Sequence, residues 1–384
     1  MADDEAEKRK QFRARIDALD RKIVETLAER KRVIEALTEL KANSGLELRD
    51  PVREEDMLSK LSEFAQQLGL SGYFVRALYR EILDDSLRSQ HHHLIDQQNL
   101  AARSSRRVVC AFQGADGAYS QIAAERHFAS FKGELESRGY ESFLAMLQAV
   151  SAGAADCGML PVENTTAGSI NEAYDLLAQT SLSVIGEEVL RVEHCLVGLP
   201  QAELDQVRRV YSHPQALAQC SMFLTALRDC AIQSFTDTAM SVKKVRDEGD
   251  PAQAAVASDR AASLYGLQVL ARNIENQKDN YTRFMVVARN PLRLDERIAC
   301  KTSLIFSTRH EQGALVRCLN VLADQGLNLT KLESRPRPNS PFEYLFYVDF
   351  EGNLQSESVQ HAIEAMRAHT SYLKVLGCYP RAGR

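Results

Sequence analysis

The sequence predicts a multidomain chain with an all-α N-terminal module, a two-lobed α/β body and an α+β C-terminal module. Three observations predict it. Residues 8 to about 97 carry helical periodicity only, short apolar strands alternate with helices from Val108 onward, and from residue 301 six elements follow in the order strand, helix, strand, strand, helix, strand.

At 384 residues the chain exceeds one ordinary domain, and 45% apolar residues supply several cores. A net charge of -5 has no strong sign, so neither nucleic acid nor membrane is expected as the main partner. The eight cysteines lie mostly inside apolar runs, with no CxxC and no Cys/His ligand spacing. That pattern suits free thiols in a reducing compartment better than disulfides or zinc. The start MADDEAEKRK has no apolar h-region, and no run approaches the ~18 apolar residues of a membrane span. A cytoplasmic location is expected.

The first helix should run from about 8 to 42 and break at 43-NSG-45. The second starts with Asp50 as N-cap and Pro51 at the first helical position, and the third runs from Ser71 to the histidines at 91–93. Three consecutive histidines point in three directions on a helix, so no metal site is read there. Residues 98–106 are polar and read as a linker between a domain at 1–97 and one at 107–289. In the body, VVCAF, CGMLPV, VRRVYS and AAVAS should be strands, followed by helices over 119–129, 169–179, 214–227 and 259–265. The run 183–199 should carry the chain to a second lobe and 281–289 should bring it back. A second linker at 290–300 precedes a domain at 301–384, whose βαββαβ order is the ferredoxin-like arrangement.

At about 100° per residue, the first helix puts Leu27, Arg30, Ile34, Leu37 and Lys41 on one stripe, in line with Ile16, Leu19 and Ile23. Long basic side chains can snorkel past apolar neighbours into water. The same irregularity recurs elsewhere, however. Asp50, Arg53 and Glu54 project near the side of Met57, Leu61, Phe64 and Leu68, while Ser86 and Gln90 continue the side of Phe74, Leu78 and Ile82. So many polar groups inside a small bundle are costly unless a ligand meets them. A small polyanion held by Arg and Lys, with a carboxylate for a hydroxyl and an amide as neutral donor, fits that chemistry. A first helix of this length also suggests packing against a second copy.

The stretches FRARIDALDRKIVETLAERK, LRDPVREEDML and EILDDSLRSQ together resemble the helical chorismate mutases, whose active site is shared by two intertwined chains. The resemblance implies that Arg30 and Lys41 grip the chorismate carboxylates and that Arg13 reaches over from the partner chain. Asp50 and Glu54 would hold the ring hydroxyl, with Arg53 and Ser86 in support. Lys41 and Gln90 would bond the ether oxygen as the C–O bond breaks toward prephenate.

Three helix starts in the body follow apolar strands: 114-GADGAYS-120, 164-NTTAGSINE-172 and 211-YSHPQ-215. Ser169 with Glu172 reads as a capping box, and free N–H groups at such starts suit carboxylates. Ordinary capping explains the turns equally well. GADG lacks the GxGxxG spacing of a dinucleotide site, so no nicotinamide cofactor is inferred and a dehydrogenase is disfavoured.

Taken with LPVENTTAG, YSHPQALAQC and LYGLQVL, the stretch 280-NYTRF-284 resembles prephenate dehydratase over 107–289, a two-lobed, periplasmic-binding-protein-like α/β fold. The resemblance implies that Thr282 is the essential hydroxyl, with Glu163, Asn164, Thr165, Gln219 and Arg283 shaping the site. No cofactor is implied. The first turn departs from the family pattern at Gln113, Ala115 and Ala118, and only Ser120 of it is kept as a candidate.

The C-terminal module carries no catalytic constellation. Its 327-LNLTKLESRP-336 resembles the ACT regulatory domain of prephenate dehydratases. There Gly313, Ala314, Leu315 and Val316, with Glu333, Ser334, Arg335 and Pro336, would line an L-phenylalanine site. The expected partners are chorismate, prephenate, the effector phenylalanine and at least one further copy of the chain.

Overall fold

A computed structural model describes residues 2–44, 51–98, 107–131, 133–296, 298–309, 311–337 and 343–381. The chain divides into two compact units, one ending at Gln98 and one running from there to Ala382. Among the described residues no helix is long and apolar enough to cross a membrane, and all eight cysteines are free.

The first unit is helical: α1 (Ala2–Ser44), α2 (Pro51–Gln67) and α3 (Gly72–Gln98). Gly69, at φ +75°, turns the chain between α2 and α3, and Gly72 sits where a Cβ would meet Ser62 Oγ at 2.4 Å. The expected apolar stripe exists, but one chain does not bury it. Ile16, Leu19 and Ile23 are more than half exposed, as are Phe64, Leu68 and Phe74, whereas Leu58 and Ala65 are the buried residues of α2. Thr38, on the inner side of α1, is buried and donates to Ile34 O at 2.7 Å.

The second unit begins with β1 (Arg107–Gln113), α4 (Tyr119–His127), β2 (Glu134–Tyr140), α5 (Phe143–Ala152), β3 (Cys157–Asn164), β4 (Gly168–Ser169), α6 (Asn171–Gln179) and β5 (Ser183–Arg191). The chain then enters another sheet through β6 (Cys195–Gly198), β7 (Arg209–Ser212), α7 (Pro214–Gln219), α8 (Ser221–Thr225), β8 (Ala231–Ser234), α9 (Thr238–Glu248), β9 (Gln253–Ala257), α10 (Asp259–Tyr265) and β10 (Gln268–Ala271). It returns on β11 (Tyr281–Ala288). The first sheet has the order β2-β1-β3-β11-β5, parallel over β2, β1 and β3, with β11 antiparallel to both neighbours. The second has the order β10-β6-β9-β7-β8. The units are therefore not purely parallel as the alternation suggested, because the return strand must run against β3 and β5.

The C-terminal elements are β12 (Cys300–Thr308), α11 (Ala314–Asp324), β13 (Leu329–Pro336), β14 (Tyr344–Glu351), α12 (Glu357–His369) and β15 (Thr370–Pro380). They form the sheet β13-β14-β12-β15, the expected βαββαβ unit. One sheet face packs on α11 and α12 through Leu304, Phe306, Val348, Phe350 and Met366. The other face puts Ile305, Leu345, Tyr347, Leu376 and Tyr379 into one core with Tyr174, Val184 and Met285 of the body. Residues 290–300 are thus not a tether between independent domains. Gly377 makes the approach close, since a Cβ there would fall 2.0 Å from Val184 O.

Candidate active site

Strand pairing sets the centre of the body. Thr282, near the start of β11, lies opposite Asn164, the last residue of β3, and both are buried. Asn164 Oδ1 accepts the backbone N–H groups of Thr166 (3.0 Å) and Ala167 (2.9 Å). Those fixed donors orient the amide, so its NH2 faces β11 and donates to Thr282 Oγ1 at 2.9 Å, Asn280 Oδ1 at 2.8 Å and Tyr281 O at 3.1 Å. Thr282 Oγ1 therefore accepts from the protein. Its own proton has no protein acceptor among the described hydrogen bonds and is left for the cleft it lines.

The orientation propagates. Gln219 donates from Nε2 to Asn164 Oδ1 (3.1 Å) and Thr166 Oγ1 (2.5 Å), and its Oε1 accepts from Asn280 Nδ2 at 3.1 Å. Oε1 also lies 2.9 Å from His194 Nε2, so that nitrogen must carry a proton. His194 Nδ1 sits 3.0 Å from Tyr119 Oη, which also lies 2.7 Å from Glu193 O. Burial lowers the His194 pKa and raises that of Tyr119 well above its ordinary value, so both groups are neutral.

The cleft measures about 470 Å³ and lies between the two sheets. Among the described residues its lining includes Gln113, Ser120, Phe143, Glu172, His213, Asp237 and Phe284 besides the network above, and no Arg or Lys. His213 caps α7, with Nδ1 accepting the Gln215 N–H at 3.2 Å. Burial, opposed by the charge of Asp237, lowers its pKa, leaving a neutral ring with Nε2–H as donor. The N-cap of α4, Ala118, provides no side-chain cap, so the first N–H groups of that helix stay open beside Ser120. The GADG turn does different work, with Ala115 N donating to Asp237 Oδ2 at 3.3 Å and Gly117 O accepting from Ser258 Oγ at 3.1 Å. It joins the lobes.

Four sequence expectations for the body are corrected by this geometry. Arg283 does not face the cleft. Its neighbour Thr282 does, and successive strand residues point to opposite faces. Its guanidinium instead donates to Glu187 Oε2 (2.9 Å), Asp349 Oδ2 (2.5 Å) and Tyr379 Oη (2.9 Å) toward the C-terminal sheet. Glu163 alternates with Asn164 in the same way and pairs with Lys331 at 3.0 Å. Thr165 is exposed and spends its hydroxyl on the backbone, donating to Asp279 O and accepting from Tyr281 N, both at 2.9 Å. The hydroxyl in the network belongs to Thr166. The Ser169–Glu172 capping box does not form, because Ile170 is the N-cap of α6 and Ser169 donates to Glu333 Oε2 at 2.5 Å.

In the helical unit, Arg30 Nη1 donates to Ser86 Oγ at 2.6 Å, and Ser86 in turn donates to Ile82 O at 2.7 Å. Gln90, one turn further along α3, has a buried Oε1 with no hydrogen-bond partner. Arg13 is exposed on α1, while Arg53 and Glu54 occupy the first turn of α2. Asp50 and the side chains of Lys41 and of the histidines at 91–93 lie outside the described residues.

In the C-terminal module, Gly313 is the N-cap of α11 at φ +72°, Ala314 is buried and Val316 is exposed. On β13, Glu333 and Arg335 turn toward the body, Arg335 pairing with Asp175 at 2.8 Å, while Ser334 and Pro336 are exposed. Among the described residues no hydrogen bond or ion pair joins Gly313–Val316 to Glu333–Pro336 within one chain.

A family model described as chorismate mutase type II matches residues 12–91, and one described as prephenate dehydratase matches residues 110–292. The bifunctional chorismate mutase/prephenate dehydratase of Enterobacter agglomerans is 38% identical over 369 residues, 96% of this chain and 95% of its own. A prephenate dehydratase structure from Arthrobacter aurescens in complex with L-Phe is 28% identical with TM-score 0.65, covering 72% of this chain and 90% of its own. GqqA, described as a novel type of quorum quenching acylase, is 34% identical with TM-score 0.64, covering 71% of this chain and 97% of its own.

Proposed function

The chain belongs to the bifunctional chorismate mutase/prephenate dehydratase family, and on that premise we propose how its residues divide the two reactions. In the dehydratase, prephenate loses its ring carboxylate as carbon dioxide while the C–CO₂ electron pair enters the ring and expels the hydroxyl group. Aromatisation drives the step, so the protein chiefly assists hydroxide departure. Thr282 supplies that hydrogen bond; a threonine hydroxyl is too weak an acid to transfer its proton fully. The observation that carries this reading is the Asn164 amide, which donates to Thr282 Oγ1 and so leaves the threonine proton for the leaving oxygen.

A dianion in a cleft with no lysine or arginine among its described lining residues needs neutral donors. His213 Nε2–H and Ser120, with the open N–H groups of α4, serve the surviving pyruvyl carboxylate. An acylase reading would require an activated nucleophile. Neither Thr282 nor Ser120 has a described hydrogen bond to a histidine or carboxylate.

In the mutase, Arg30 and Lys41 hold the chorismate carboxylates, with Arg13 from a second copy. Asp50 and Glu54 hold the ring hydroxyl, supported by Arg53 and Ser86. Lys41 and Gln90 stabilise the charge growing on the ether oxygen. The uncovered apolar stripe of α1 supports a two-chain pocket. Because Gln90 is an amide, mutase turnover should change little from pH 6 to 8, as a stopped-time assay of chorismate loss across ~five buffers can measure. A steep decline over that range would assign the ether contact to a titrating acid.

We read the C-terminal module as an ACT sensor for L-phenylalanine, and the free cysteines support a cytoplasmic protein. Replacing Glu333 or Ser334 should raise the phenylalanine concentration needed for half-inhibition by about tenfold without removing activity. Unchanged inhibition in both variants would put the effector elsewhere. The whole assignment is tested by incubating the protein with chorismate and no added cofactor, then reading phenylpyruvate absorbance in alkali.

A further inference from the structure

The hydrogen-bond network behind Thr282 is one proton short. The backbone N–H groups of Thr166 and Ala167 fix the Asn164 amide, which fixes that of Gln219, whose Oε1 then requires a hydrogen on His194 Nε2. At the other ring nitrogen, the Tyr119 hydroxyl lies 3.0 Å from Nδ1 and 2.7 Å from Glu193 O. Its single hydrogen cannot serve both acceptors, and no other described hydrogen bond reaches Glu193 O. A second proton on the ring would satisfy all three groups, with Nδ1–H donating to Tyr119 Oη and Tyr119 donating to Glu193 O.

Charge on this ring has a use in the cleft that the ring lines. Prephenate carries two carboxylates, and no lysine or arginine stands among the described lining residues to balance them. In the free protein, burial holds the ring's pKa below the ordinary 6.5, opposed by the bond with Gln219 and the charge of Glu275, whose Oε2 accepts the His194 backbone N–H at 3.1 Å. Around it, Glu193 pairs with Arg191 at 3.3 Å, burial keeps the Cys195 and Cys220 thiols protonated, and Glu172, Asp237 and neutral His213 line the same cleft. A dianion entering the cleft adds negative charge beside a buried imidazole, which favours its protonated form. We propose that His194 takes up a proton from solvent on Nδ1 when prephenate binds, so that the cleft gains its counter-charge together with its substrate, and returns it when the singly charged product leaves. This rests on the cleft being the prephenate site.

The test is steady-state dehydratase kinetics on the full-length protein with prephenate supplied, from about pH 6.5 to about pH 8. Binding that consumes a proton weakens as the free ring loses its own, so KM should rise with pH by up to about tenfold per unit while kcat moves by less than about twofold. Glu275→Gln keeps an acceptor for the His194 N–H and removes the charge that helps to hold the proton. It should raise KM at about pH 7.5 by about threefold, whereas a carboxylate that merely repelled the substrate would lower KM on its removal. His194→Gln keeps a donor for Gln219 and cannot become charged, so its KM should be high and flat with pH. Should that variant fail to fold, the wild-type and Glu275→Gln profiles decide. The proposal is overturned if wild-type KM is flat, if Glu275→Gln leaves KM unchanged or lowers it, or if folded His194→Gln keeps the wild-type slope, which would give the proton to His213. Thr282→Ala separates the two ideas. Retained turnover there removes the premise, whereas lost turnover beside a flat wild-type KM removes only the proton uptake.

Discussion

Replacing Thr282 with alanine should lower dehydratase kcat by about 10²–10³-fold, the usual loss when a single preorganised donor to a developing oxyanion is removed. KM should move little, because the hydroxyl binds the departing oxygen more tightly in the transition state than in the ground state. The site should survive the change. Asn164 keeps Asn280 Oδ1 and Tyr281 O as acceptors, so no buried donor is orphaned. Thr282→Ser restores the hydroxyl and should recover most of the rate. Mutase turnover, measured on chorismate in the same preparation, should be unchanged. A Thr282→Ala enzyme with near-normal kcat would show that water or another donor serves the leaving group.

Much of this site was legible in the sequence, and the remainder shows what a motif does not encode. Thr282, Asn164 and Gln219 come together as expected. Glu163 and Arg283 do not, although the signal was present: on a strand, neighbours of Asn164 and Thr282 must face the other way. A run of consecutive family residues marks a strand end, not a face. His194 and Tyr119 left no local signal, because they meet through the crossing between lobes and their roles follow only from the amide orientations. Among the elements, β2 (ELESRGY) escaped the reading because it is an edge strand with no apolar run. Helix α9 escaped it too, although its Asp237 cap, which accepts the Met240 N–H at 2.7 Å, stands in the sequence as a start signal.

The helical unit shows the same division. Periodicity placed Arg30 and Ser86 on facing stripes of α1 and α3, and the structure brings them to 2.6 Å. It could not reveal that most of the α1 stripe finds no cover within one chain, because a helix seam reads identically whether its partner belongs to the same copy or another. The exposed Phe12, Ile16, Leu19, Ile23 and Val24 form a run that water solvates poorly.

Arg30→Ala should lower mutase kcat/KM by about 10²–10³-fold, the loss that its proposed two-donor contact with a substrate carboxylate implies. Its loss should cost the free protein only about 1 kcal/mol, since one partly buried hydrogen bond disappears and Ser86 keeps Ile82 O as an acceptor. The change in rate would therefore exceed anything unfolding could produce. Arg30→Lys should rescue poorly, because an ammonium point charge cannot reproduce the planar two-donor contact. Dehydratase turnover with prephenate supplied should stay within about twofold, as that cleft lies wholly in the second compact unit. With chorismate as the starting substrate, phenylpyruvate formation should fall in step with the mutase. An arginine that merely snorkels past its apolar neighbours would leave both rates alone, and that result would remove Arg30 from the pocket.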